Sequence, residues 1–286
     1  MKKNLSLLLL LVLTACATTT PIPPTPAPTS TAIPTATATI TPTATPVPSG
    51  PCDSPFLPLT TGNEWTYRVT SESGESLYSL KTLGRNDGRN IIIMVEFTDQ
   101  KNHVTVVEPV VCMDGAVENF PLFVMSMHFA AYLEKDFNTY HDTGIYAPSY
   151  STLVENDWSM KWDLEYLTES VAQLKSPMDG QILSVVESSL INLSFQMDGT
   201  KEEMIVPAGT YPQALKVQHS FSFPVTLYLL TESTGSTLTV NTTQWYEPYV
   251  GLVRAQVDSS SMLMYGQQLD VPVTSTIELV EFKKGE

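Results

Sequence analysis

The stretch from Ala17 to Gly50 sets the first limit on this chain, because it cannot pack. It is almost wholly Thr, Pro, Ala and Ser, with no charged and no aromatic residue. Such a segment has too little apolar surface to offset the entropy of ordering it, so it is expected to stay extended and partly polyproline-like. At ~3.1 Å per residue, about 34 residues reach roughly 100 Å when stretched. This is the composition of a spacer, and Ser and Thr beside Pro also suit O-glycosylation. Everything able to form a core follows the break at Pro51, which divides the chain into 1–15, 16–50 and 51–286.

The first segment reads as a targeting signal. Lys2 and Lys3 form a short positive region, and Leu5 to Leu13 is an apolar run too short to cross a bilayer. Leu13-Thr14-Ala15-Cys16 then resembles the lipobox of bacterial lipoproteins. That resemblance implies removal of residues 1–15 and acylation of Cys16, with palmitate-type chains on the new terminus. Several chains on one residue supply the multiple hydrophobic signals that stable anchoring needs. The expected address is the extracytoplasmic face of a cell membrane, with the stalk holding the folded part away from the lipid.

Charge and cysteine content constrain the part that folds. No Asp or Glu precedes Gly50, so all thirty acids lie beyond the stalk; without Lys2 and Lys3 only thirteen basic side chains face them, a net charge of about −17. A nucleic-acid partner, or an anionic membrane surface bound by charge, is disfavoured. With Cys16 acylated, Cys52 and Cys112 remain. An even pair in an exported domain reads as one disulfide, the alternative being two free thiols.

Strand signals dominate 51–286. Glu64 to Val69 alternates polar and apolar residues. Ser76 to Leu83, Asn90 to Thr98 and His103 to Cys112 follow as strands, with Gly84 to Gly88 and Asp114-Gly115 as turns. Lys135 to Asn156 is the least patterned part and reads as a long connection over a cleft. Asp163 to Leu174 is the best helix candidate. Leu183 to Met197 reads as a strand ended by a turn at Asp198-Gly199. Ala214 to Phe223, Val225 to Thr231 and Thr237 to Tyr246 read as antiparallel strands with a hairpin turn at Ser233 to Ser236. Val250 to Val257, Met262 to Tyr265 and Val273 to Phe282 complete the set. The expected fold is mainly β: a curved antiparallel sheet, half-barrel or barrel-like, with few short helices. Asn63-Glu64-Trp65 and Asn156-Asp157-Trp158 echo each other, which is either a duplication (56–150 against 151–286) or chance.

Three stretches carry a family resemblance. Pro58-Leu59-Thr60-Thr61-Gly62-Asn63-Glu64-Trp65-Thr66-Tyr67 is similar to a "PL-x-x-G-N-x-W-x-Y" opening strand. Val206-Pro207-Ala208-Gly209-Thr210-Tyr211, followed by Ala214 and Val217, is similar to "V-P-A-G-T-F…A-x-x-V". Trp245 to Arg254 is similar to "W-Y-A-x-x-V-G-x-V-K". Together they resemble DUF3108-like or TapB-like bacterial envelope proteins, many of them lipoproteins. The resemblance implies a curved sheet akin to the half-barrels of lipoprotein carriers and implies no chemistry. Residues 120–200 are longer than that family's usual middle.

No pattern of catalytic or metal-binding residues accompanies these motifs. His103, His128, His141 and His219 form no close pair, no cysteine cluster supports a metal, and there is no Gly-x-Ser-x-Gly elbow or phosphate loop. The expectation is therefore a protein without catalysis, cofactor or metal. It would bind an apolar small molecule or present a sheet surface to an envelope protein. The Met/Tyr-rich middle supplies the candidate ligand residues: Met125, Met127, Phe129, Tyr132, Tyr140, Tyr146 and Tyr150. An ordinary core explains the same residues.

Overall fold

A computed structural model describes residues 52–72, 74–86, 91–99, 104–118, 120, 137–175, 182–229, 232–264, 266–271 and 274–285. The lipobox and the stalk lie outside these residues.

The strands are β1 (Asp53–Ser54), β2 (Leu57–Pro58), β3 (Glu64–Ser71), β4 (Gly74–Asn86), β5 (Ile91–Asp99), β6 (Val104–Met113), β7 (Ala116–Val117) and β8 (Phe137–Gly144). One short helix, α1 (Tyr150–Glu155), follows. Then come β9 (Ser159–Lys175), β10 (Ile182–Val206), β11 (Gly209–Leu229), β12 (Glu232–Glu247), β13 (Gly251–Met264), β14 (Gln267–Asp270) and β15 (Ser275–Lys283). Apart from the small β1–β2 pair, they form a 13-stranded antiparallel sheet in the order β7-β6-β5-β4-β3-β15-β13-β12-β11-β10-β9-β8, with β14 beside β13. The fold is mainly β, as the alternation predicts.

The sheet has two halves. From β6 to β15 and from β13 to β8 the ladders are long, but β13 meets β15 only from Arg254↔Glu278 to Gln256↔Thr276. At the far edges, β7 and the segment after β8 touch through one isolated bridge, Val117↔Ala147, so the sheet is not closed into a barrel. Leu80 on β4 and Trp162 on β9, far apart in strand order, line one cavity, so the sheet curls around its own inner face.

Alternation decides which side chains form that face. On β11, Leu215, Val217, His219, Phe221 and Phe223 are buried, while Lys216, Gln218, Ser220 and Ser222 point the other way. β12 answers with Leu238, Val240, Thr242 and Tyr246, and β3 with Trp65, Tyr67 and Val69. The facing residues form one continuous apolar cluster.

The Cys52–Cys112 disulfide ties the start of the domain to the end of β6, with Cα atoms 5.3 Å apart. The family-like motifs meet at one end of the sheet. Trp65 is fully buried and donates its indole N–H to the Val250 carbonyl at 2.5 Å. Gly251 follows with φ +101°; a Cβ there would lie 3.3 Å from the Phe56 carbonyl. Val206 and Gly209 close the β10–β11 hairpin, and Ala208 N–H reaches the Leu279 carbonyl on β15. Trp245, on the outer face, donates to Glu202 at 2.8 Å and lies beneath the Arg254 guanidinium. These residues lock strands together.

Several local expectations are corrected. Asp163 to Leu174 is not a helix but part of β9. Leu164, Leu167, Val171 and Leu174 have helical spacing, yet Trp162, Leu164 and Tyr166 are buried at period two while Asp163, Glu165 and Leu167 are exposed. Continuous pairing with β10 overrides the local preference. Asp198-Gly199 does not end a strand: β10 runs on to Val206 through a register shift between Met197 and Lys201, where Thr200 N–H bonds to Asp198. Ser233 to Ser236 is not a turn, since these residues pair with Tyr228 to Val225; the hairpin closes at Leu229↔Glu232. Nor does Pro224 split β11. β10 pairs with β11 only as far as Asn192↔Ser222, so the missing N–H of Pro224 can face an unpaired side. The unpatterned Lys135 to Asn156 region contains β8 and α1. β8 is an edge strand and needs no apolar alternation, and α1 is capped by Ser149 and held by fully buried Leu153.

Candidate binding cavity

The curl encloses a cavity of about 90 Å³. Its walls follow from register. Trp162, Phe195, His219, Thr242 and Val257 stand directly opposite one another on β9, β10, β11, β12 and β13. Trp162 stacks on Phe195 with ring centres 5.1 Å apart and planes within 5°, and Phe195 stacks on His219 at 4.6 Å. The neighbouring row on β12 and β13 brings Gln244 and Ala255. Tyr67, Tyr78, Leu80 and Ile277 come from the other half of the sheet, and Phe56 and Leu57 from the segment before it.

Within these apolar walls runs a polar strip. Tyr246 donates its hydroxyl to Gln244 Oε1 at 2.7 Å, which fixes the amide. Gln244 Nε2 then donates to Thr242 Oγ1 and His219 Nδ1, both at 3.3 Å, and Thr242 Oγ1 lies 3.1 Å from the same nitrogen. An amide nitrogen only donates, so Nδ1 accepts and a neutral ring carries its proton on Nε2. His219 is a buried residue of β11 whose Nδ1 is held by this strip.

Four tyrosines surround the strip. Burial, before any other cause, pushes the hydroxyls of Tyr67, Tyr78, Tyr146 and Tyr246 well above the ordinary phenol range, and their proximity to one another raises them further, Tyr146 excepted. Tyr146 is only half-buried as a residue, but its hydroxyl end lies deep enough for burial alone to raise it. Its ring stacks on Phe120 at 4.7 Å, next to the bridge that brings the sheet edges together. Tyr166 secures the same corner by donating to the Phe120 carbonyl and accepting from its N–H.

Of the candidate ligand residues named from sequence, Tyr146 lines this cavity. Tyr150 opens α1 on the exposed side and packs near Trp158 and Tyr249 instead. Met125, Met127, Phe129 and Tyr132 lie outside the described residues; Tyr140 has its backbone in β8, but its side chain lies outside them. His103 and His128 likewise fall outside. The sequence reading missed Tyr67, Tyr78, Phe195, Phe221, Gln244 and Tyr246 as lining. Their one visible signal is a large or polar residue at an inward strand position. Among the described residues, no three His, Cys, Asp or Glu side chains converge as a metal site would require, and no helix is long and apolar enough to cross a membrane.

No protein-family model and no curated protein matches this chain, so the DUF3108-like or TapB-like resemblance rests on its three motifs. Two solved structures resemble it in shape. One, from Bacteroides fragilis, is described as an exported protein with a YmcC-like fold; the match covers 81% of this chain and 100% of that one, with a TM-score of 0.47 and 15% identity. The other, from Parabacteroides distasonis, is described as a lipoprotein; it covers 80% of this chain and 99% of that one, with a TM-score of 0.46 and 15% identity. At that distance the likeness carries no functional argument.

Proposed function

We propose that this chain is a lipid-anchored protein of the cell envelope whose β domain binds a small apolar ligand inside its curled sheet, without catalysis. The observation that carries this reading is the cavity itself: stacked aromatic rings around open space, with a few convergent polar groups, is the usual make-up of a small-molecule site. Drug-sized pockets run to roughly 300–1,000 Å³, so about 90 Å³ fits a much smaller occupant. The anchor rests on the lipobox and the spacer behind it. The disulfide belongs with an oxidising compartment.

Native mass spectrometry of the protein taken from its own envelope, before and after denaturation, tests the binding reading. A reproducible non-protein mass lost on denaturation supports it. A bare protein mass favours the second reading, a stalked module presenting its sheet to an envelope protein; Leu167 and Leu190, an exposed cross-strand pair, are the apolar surface it would offer. The anchor has its own test: Cys16→Ser should abolish incorporation of labelled palmitate, and labelling that survives would remove Cys16 as the site.

A further inference from the structure

Building on that binding reading, we infer that the occupant is an uncharged, ring-sized molecule with one hydrogen-bonding oxygen, which meets the hydroxyls of Tyr67 and Tyr146. The lining contains no Asp, Glu, Lys or Arg. A formal charge entering it would lose its hydration with no opposite charge to replace it, so ions of either sign are disfavoured. A water needs roughly 10–15 Å³ of such space, so about 90 Å³ accommodates several waters or one six-membered ring. The parallel faces of Trp162 and Phe195 offer flat walls for a ring.

The polar end is set by which hydroxyls are already used. Tyr246 gives its proton to Gln244, and Tyr166 gives its own to Phe120. Tyr67 and Tyr146 line the cavity with no hydrogen-bond partner for either hydroxyl among the described residues, and the buried Ser275 Oγ on the same lining has none either. A buried hydroxyl without a partner is costly, and native structures meet nearly all such groups with protein, water or ligand. Burial keeps both phenols protonated, so each offers one donor and one acceptor. That pairing suits an alcohol, a phenol or a ketone better than a hydrocarbon.

Calorimetric titration of the whole mature chain, carrying Cys16→Ser so that no detergent is needed, separates the alternatives with four probes: phenol, benzene, benzoate and tetramethylammonium. Phenol should bind about 3- to 10-fold more tightly than benzene, the range of one net hydrogen bond, and both ions at least ~10-fold more weakly than phenol. Tyr67→Phe combined with Tyr146→Phe should erase the preference for phenol without weakening benzene binding, with an unchanged urea midpoint at pH 7 reporting an intact fold. Phenol binding no better than benzene, a preference that survives both substitutions, or an ion binding tighter than phenol overturns the inference while leaving an apolar site. Failure of both benzene and phenol to bind overturns the binding reading itself.

Discussion

Raising the pH above 10 should unfold this domain over a narrow range, and its buried tyrosines set how steeply. Tyr67, Tyr78 and Tyr246 are 5%, 6% and 8% exposed, and burial raises all three hydroxyls far above the ordinary value of about 10. Below pH 10 the folded and unfolded chains both keep these protons, and the groups give no pH dependence. Above it the unfolded chain releases them and the folded chain cannot, so the unfolded state binds fewer protons and stability falls as pH rises. Each retained proton then costs about 1.4 kcal/mol per pH unit. At pH 11 the three together remove about 4 kcal/mol, with up to about 1 more from Tyr146, from a total that for domains is ~5–15 kcal/mol.

Urea unfolding at half-unit steps from pH 8 to 11.5, with tyrosinate absorbance followed in parallel, measures this. The urea midpoint should stay flat to about pH 9.5 and then fall sharply, with the last tyrosines ionising only as the fold is lost. Tyr67→Phe supplies the internal control. It removes no protein hydrogen bond among the described residues, so it should change little at pH 7, yet at pH 11 it should be more stable than the parent by about 1.4 kcal/mol. All tyrosines ionising together near pH 10, with an unchanged urea midpoint, would refute the reasoning.

Three further outcomes follow from particular contacts. Cys112→Ser opens a link between residues 60 apart in sequence; loop-closure entropy puts its cost at about 4 kcal/mol, read by chemical denaturation, and thiol labelling of the unreduced domain should find Cys52 and Cys112 blocked. Gly251→Ala forces a side chain onto φ +101° and to 3.3 Å from the Phe56 carbonyl, for a loss of roughly 1–3 kcal/mol visible in the same assay. Phe221→Ala, at a site 1% exposed on the cavity wall, should cost about 3–5 kcal/mol and enlarge the chamber, so an alkylbenzene too long for the parent should bind the variant.

The fold was legible wherever alternation ran unbroken. Glu64 to Val69 and Ala214 to Phe223 show their buried faces directly in the sequence, and both are strands. The misreadings have distinct causes. Leu164, Leu167, Val171 and Leu174 satisfy helical spacing as well as Trp162, Leu164 and Tyr166 satisfy alternation, and the pairing partner that decides between them comes later in the chain. Asp198-Gly199 carries turn chemistry, but Gly199 takes its positive φ inside a strand, where the same chemistry makes a bulge. Ser233 to Ser236 carries turn-type residues, but these pair in register with Tyr228 to Val225, and the hairpin closes only at Leu229↔Glu232.

The cavity was illegible for a deeper reason: it is written in register, and the irregularities that fix register look like noise in a linear reading. A one-residue slip exchanges the two faces of a strand. The row Trp162, Phe195, His219, Thr242, Val257 exists only because each ladder is set as it is. On β13 that setting depends on an extra residue. Asn241 pairs with Ser259 and Thr242 with Val257, so Asp258 bulges outward, where its carboxylate accepts from the Thr243 hydroxyl at 2.6 Å. The bulge lets Val257 line the cavity while Ser260 is buried farther along the same strand. Strict alternation from Val257 would bury Ser259 and expose Ser260. In the sequence Asp258 is one acid among thirty; in the sheet it determines which face of β13 the ligand would meet.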